Sequence, residues 1–387
     1  MLACAEIPGL TWNEVCARRL TRHALRAPST ESLVDIVATI CGAHAQVMSA
    51  AELAIGLRGA CVTRVDVQRA LWRDRSLVKT IGPRGTVHLL PARDLPMWCG
   101  ALGALPLTSG LPRAAQLDVT QLDAVVTAIA VALAGAELTG EELDDAVRSV
   151  CGPWAGDLVV PAFSGLSPRW QQAIRAAAAA GVLCYGPARG RRVRYTSPQR
   201  WLPGFQPAAA GPALSQLLRA YLHAYGPATA AQFAQWLAAP RQWIRELLAA
   251  SAAQVQEVTL DGDRAWVNAG DTAADAGPVR GIRLLPYFDP YLIGAHPRTQ
   301  LFPGQAADQA LTRGQAGTFP VLLVDGAVAG RWHQRRAGRR LRVTVEPFGR
   351  LGARHRAQLE SEVDRIGTIL QAQPELTLGP ITAGPHA

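Results

Sequence analysis

Apolar residues recur at helical spacing up to about residue 280 and at strand spacing beyond it. Leu33, Ile36, Val37 and Ile40 mark one helix face, and Gly42 is placed to end that helix. Ser49-Ala-Ala-Glu52 has the form of a capping box for the next helix, which Gly59 stops. Thr63 is placed to cap another that reaches Trp72, and residues 76–80 and 85–90 flank a turn at Gly82-Pro83. The order helix, helix, hairpin repeats. Thr139-Gly-Glu-Glu142 opens a second copy, Ser167-Pro168 starts its second helix, and residues 182–185 and 193–196 form its hairpin. Thr229-Ala-Ala-Gln232 opens a third, with a helix over 241–250 and strands over 255–260 and 264–268. Two helices trailed by a hairpin predict a winged helix-turn-helix, here three in tandem.

Beyond residue 280 the pattern predicts strands over 283–288, 319–324, 327–332 and 341–345, with a tight turn at Asp325-Gly326. Leu341, Val343 and Val345 alternate with polar neighbours, as a half-buried strand requires. The expectation is a small β-barrel or strongly curved sheet, closed by a helix with Leu359, Val363, Ile366 and Leu370 on one face. The expected fold class is α+β. Its divisions are 1–110, 111–210 and 211–278 for the three winged-helix units, 279–373 for the barrel, and a disordered tail over 374–387.

Composition changes this picture in one respect. A net charge of +9 and a sequence pI of about 9.6 favour a polyanionic partner. Almost all the positive charge is arginine, Lys79 being the lone lysine, although a chain this rich in alanine, glycine and proline owes part of that bias to a GC-rich genome. The seven cysteines are widely spaced without a C-x-x-C, which predicts reduced thiols in a cytoplasm. No metal site or cofactor is expected, because no His/Cys cluster has zinc spacing and no phosphate-binding glycine loop occurs. The apolar run 124–136 predicts a buried core helix too short to span a membrane, and no signal-peptide pattern is legible.

Two stretches carry candidate chemistry. Residues 331–342 hold six arginines and no acid. Folded as a hairpin with its tip at Ala337-Gly338, this basic finger predicts phosphate contacts from Arg331, Arg335, Arg336, Arg339 and Arg340, with Trp332, His333 and Gln334 beside them. The alternative is a solvated edge strand guarded by charge. The wing of the first unit adds Arg84, Thr86 and His88, and Arg298 is a further candidate DNA contact. The second stretch is Gly42-Ala-His-Ala-Gln46, in the connection between two helices. If extended, it aims His44 and Gln46 at one point; otherwise these side chains cap neighbouring helix ends. His88 either joins that site or is an ordinary strand histidine.

Arg84-Gly-Thr-Val-His88, Tyr225-Gly-Pro-Ala-Thr229, Leu284-Leu-Pro-Tyr-Phe-Asp-Pro-Tyr291, and Val324-Asp-Gly326 followed by Gly330-Arg-Trp332 occur in this order. Over about residues 10–372 the chain thereby resembles the bacterial AlkZ-like winged-helix DNA glycosylases. The resemblance implies a C-shaped arrangement of tandem winged helices with a β-barrel, and excision of bulky N-alkylated bases from double-stranded DNA. It places that family's catalytic glutamine-apolar-polar motif on His44-Ala45-Gln46. A histidine in the first place implies the branch linked to self-resistance in makers of DNA-alkylating antibiotics. The expectation is a monomeric, monofunctional glycosylase that uses water. A non-catalytic winged-helix transcriptional regulator and a protein-interaction scaffold remain the alternatives.

Overall fold

The computed structural model describes residues 7–106, 110–162, 165–273 and 277–384. They fall into two compact units, one built from residues 1–69 and 218–387, the other from 70–217. The first of the expected winged-helix units is therefore divided between them.

In the first unit, the N-terminal helix Trp12–Arg22 is opened by a reciprocal Thr11–Glu14 capping box. Its Arg19 is fully buried and donates to the carbonyls of Tyr225, Pro227 and His296, tying two later segments to one guanidinium. The third helix-helix-hairpin segment forms as expected. Thr229 and Gln232 cap Ala230–Leu237, Arg241–Ala250 follows, and Val255–Leu260 pairs with Asp263–Asn268. Gly9–Leu10 adds a parallel strand to this hairpin.

The C-terminal sheet runs Ile282–Leu285, Val321–Val324, Ala327–Ala337, Arg340–Pro347 and Gln373–Leu378. It is an open half-barrel, which fits the strongly curved sheet of the two expected forms and not the barrel. The helix Ala353–Leu370 covers its inner face, packing Leu359, Val363 and Ile366 against Leu284, Trp332, Leu341, Val343 and Val345. Residues 374–378 correct a second expectation, since they form a strand parallel to Arg340–Pro347 instead of trailing off. Pro374 fits because Gly367 has no side chain, and a Cβ there would lie 2.6 Å from the proline ring.

The same core takes in Leu53 and Leu57, from the end of the chain's third helix, Met48–Gly56. Gly56 lets Ile369 approach, since a Cβ would stand 2.4 Å from its methyl. This helix corrects another expectation. Val47, not a later serine, is its N-cap, and Ser49 lies inside the first turn. Glu52 does not reach back to cap. It turns inward and accepts from Gln68 Nε2 at 2.8 Å, with Arg64 at 3.8 Å, partners that a short cap does not offer a buried carboxylate.

In the second unit Leu77–Ile81 pairs with Val87–Pro91, and Thr139–Glu142 caps Gly140–Cys151 as expected. The expected core helix, Val119–Ala134, buries only the stripe Val125, Ala128, Ile129 and Leu133, while Val119 and Val131 are 76% and 70% exposed. Ser167-Pro168 both ends a hairpin, Leu158–Ala162 with Gly165–Pro168, and opens the helix that follows, Pro168 being the N-cap of a 3-10 stretch over Arg169–Ala173 that runs into the α-helix Ile174–Ala179. Buried Trp170, donating to Asp144 Oδ1 at 2.7 Å, anchors that first stretch. The last hairpin, Cys184–Arg189 with Arg192–Thr196, carries Leu138–Thr139 on its edge.

Candidate functional site

The connection that carries His44 is shaped by two left-handed residues, Cys41 (φ 60°) and Gly42 (φ 89°), after the helix Leu33–Thr39. The chain then extends through Ala43–His44, with the methyls of Ala43 and Ala45 buried. Extension stops there, and Gln46 falls in a bend before the helix Met48–Gly56. The two polar side chains therefore sit at different depths. His44 is 7% exposed, whereas Gln46 is at the surface. One group is held in the interior and the other reaches solvent.

The imidazole of His44 lies against the ring of Phe288, centroids 4.6 Å apart and planes 31° apart. Phe288 is followed by Asp289, the N-cap of Pro290–Gly294, whose carboxylate accepts from the Tyr291 amide at 2.9 Å. The same carboxylate takes both arms of Arg58, at 2.9 and 2.8 Å, and both side chains are fully buried. Arg58 also donates to Ala54 O at 2.7 Å. A buried charge pair survives when its remaining hydrogen-bonding capacity is met, as it is for this carboxylate. Behind it, burial first and the Arg58 charge second hold His23 well below the ordinary imidazole range. His23 Nε2 bonds Ala224 O at 3.1 Å.

The arginine finger forms, with its turn at Gly338-Arg339, one residue later than expected, and Ala337 opposite Arg340. Arg335 and Arg342 stand directly across from each other, and Arg335, Arg336, Arg339 and Arg340 are all exposed. Arg336 spends part of its guanidinium on Gly338 O and Leu370 O. Arg331 is paired to Glu346 at 2.8 Å and is not a bare cation. His333 and Gln334 are half-buried along the strand.

Three expected DNA contacts prove to be built into the fold. Trp332 is 2% exposed, its indole N–H bonded to Leu285 O at 2.8 Å, because the strand alternation turns it into the core. Arg298 donates to the carbonyls of Leu292, Ile293 and Ala295, satisfying acceptors left open where Pro290–Gly294 ends. His88 is 3% exposed, with Nδ1 2.9 Å from Thr86 O and its ring against Gly82, where a Cβ would come within 2.7 Å. Arg84, left-handed at φ 61°, and Thr86, which donates to Pro83 O at 3.0 Å, shape the turn between Leu77–Ile81 and Val87–Pro91. Sequence reasoning passed over Arg58 and Asp289. Asp289-Pro290 is a readable helix start, but nothing local announces its partner 231 residues away.

An α+β chain with a half-barrel sheet, a buried histidine on an inter-helix link and a basic hairpin with exposed arginines at its tip is suited to a nucleic-acid enzyme. The comparisons give the class. The family described as DNA glycosylase AlkZ-like matches residues 37–369. An interstrand DNA cross-link repair glycosylase from Streptomyces sahachiroi is 33% identical over 335 residues, covering 83% of this chain and 87% of the relative. The solved structure of Streptomyces sahachiroi DNA glycosylase AlkZ superposes with a TM-score of 0.77 at 30% identity, covering 96% of this chain and all of that one. The chain belongs to the AlkZ-like DNA glycosylase family.

Proposed function

We propose that this DNA glycosylase excises bulky N7-alkylguanine from duplex DNA, acting as a monomer in cytoplasmic self-resistance to a genotoxic natural product. The observation that carries the reading is the link at residues 43–46, which holds one imidazole against an aromatic ring and leaves one carboxamide at the surface. N7-alkylation makes guanine cationic and a good leaving group. The C1′–N9 bond breaks, its electron pair neutralises the base, and water adds to the oxocarbenium-like sugar. The protein's task is to place the water and accept its proton. Gln46 holds the water without titrating. Neutral His44 takes the proton and passes it to solvent. A protonated His44 would repel the developing cation, so only the neutral imidazole serves.

In this reading the helix-helix-hairpin segments act as winged helices, and the basic finger lies along phosphates in a groove. The lone lysine, Lys79, has its ammonium 5.3 Å from the centre of the Tyr185 ring, which favours water over a Schiff base as the nucleophile. The test is incubation with a duplex carrying a bulky N7-alkylguanine. Free modified base, an unbroken abasic strand and no borohydride-trapped complex are expected. Loss of release in His44→Ala and Gln46→Ala, with DNA binding kept, assigns the motif. No release from bulky or simple N7-alkylguanine overturns the proposal and leaves a DNA-binding protein without this activity.

A further inference from the structure

We infer that Phe288 is a positioning residue for His44, locked in place by the Arg58–Asp289 pair. Phe288 has φ 55°, in the left-handed region that a bulky side chain rarely enters. Such a conformation persists only where its surroundings over-determine it, and such sites cluster where geometry matters to function. Here both sides are fixed. The Phe288 amide donates to Gly317 O at 2.8 Å, and Gly317 (φ 99°) comes so near that a Cβ would lie 3.3 Å from Phe288 Cα. On the other side, fully buried Asp289 caps the next helix and is gripped in two places by Arg58.

The source of that grip is informative. Arg58 lies two residues past the end of the helix that begins two residues after Gln46, and it bonds back to Ala54 O within that helix. The segment leaving the motif thus holds the segment that lays a ring on the motif's histidine. A half-buried ring at 4.6 Å and 31° restricts the imidazole plane, and so the direction in which its nitrogens point. Phe288 touches no reacting atom in this account. It acts through His44.

The inference rests on reading His44 as the proton acceptor, and its test separates the two. Single-turnover base release and DNA affinity are measured for His44→Ala, Phe288→Leu, Phe288→Tyr and the His44→Ala/Phe288→Leu double variant. Phe288→Leu should slow release by about a hundredfold with affinity within about twofold, the pattern of lost alignment. Phe288→Tyr, which keeps the ring, should restore most of the rate. In the His44→Ala background Phe288→Leu should add nothing, as for two residues acting as one unit. Should Phe288→Leu fail to fold, Phe288→Gly removes the ring while relieving the left-handed strain and should show the same loss. A wild-type rate in Phe288→Leu beside a slow His44→Ala overturns the positioning role alone, as does a full additional loss in the double variant. A wild-type rate in His44→Ala overturns the reading beneath it, and the positioning role with it.

Discussion

Two hairpins of this chain are rich in arginine, and they are electrostatically different objects. In the hairpin Cys184–Arg189/Arg192–Thr196, Arg189 pairs with Glu142 at 2.8 Å, Arg192 with Glu141 at 2.8 Å and Arg194 with Glu137 at 2.9 Å. Its basic character is met inside its own unit, by acids at the start of the helix Gly140–Cys151 and just before it. In the hairpin Ala327–Ala337/Arg340–Pro347, Arg331 pairs with Glu346, but Arg335, Arg339, Arg340 and Arg342 have no carboxylate partner among the described residues. Arg335 even faces Arg342 across the ladder. Like charges directly opposite are unfavourable in an isolated sheet, and a polyanion laid over them reverses the sign. Local arginine content is thus a poor guide to uncompensated positive charge. What separates the hairpins is which acids the fold brings beside them.

The largest effect should come from removing the uncompensated charge. Arg335, Arg339, Arg340 and Arg342 changed together to Gln should lower DNA affinity by about a hundredfold at 0.1 M salt and flatten the slope of log affinity against log salt by about 3. The same exchange at Arg189, Arg192 and Arg194 should change affinity by less than about threefold; equal losses in both variants, read by fluorescence anisotropy, would erase the distinction. A smaller effect runs the other way. Glu137, Glu141 and Glu142 changed to Gln should expose the middle hairpin's charge and raise affinity for undamaged DNA by about tenfold. The helix start should survive, because Gln serves at the third position of a capping box as Glu142 does.

The smallest effect concerns the unit that carries the C-terminal hairpin. Burial keeps folded His23 well below the ordinary range and His296 down at about 3. Both are neutral when folded and titrate near 6.5 when unfolded, so acid favours the unfolded chain. Their contribution is intact above that value and is lost as pH falls from about 6.5 toward 3. Between pH 7 and pH 6 each should cost about 0.7 kcal/mol of unfolding free energy. Denaturant titrations at the two pH values check this.

The difference between the hairpins also marks how far the sequence could be read. Thr139 and Thr229 were legible as caps because a capping box closes within four residues, and the finger was legible because it is a charge run. Ser49 looked like a cap and was not, because Glu52 was claimed by Gln68 and Arg64 on the following helix. Trp332 and Arg298 looked available for DNA, yet each answers a carbonyl that only the folded chain leaves open. The strand over 374–378 does alternate, Pro374, Leu376 and Leu378 against Glu375 and Thr377, but the signal is short and lies in a Pro/Gly-rich tail, and the segment pairs where Arg340–Pro347 offers an edge. At the candidate site the motif's position was legible. The depth difference between His44 and Gln46, the ring over His44 and the pair behind that ring depend on contacts between residues far apart in sequence.

The most direct test is the single-turnover rate of base release from N7-alkylguanine DNA at saturating protein, compared between the four-arginine variant and Gln46→Ala. The account predicts that the arginine variant, once saturated, releases base at close to the wild-type rate, because it lost only binding. Gln46→Ala should stay slow at every concentration, because it lost the chemical step. A Gln46→Ala protein as fast as wild type, or an arginine variant whose saturated rate stays as low, would contradict it.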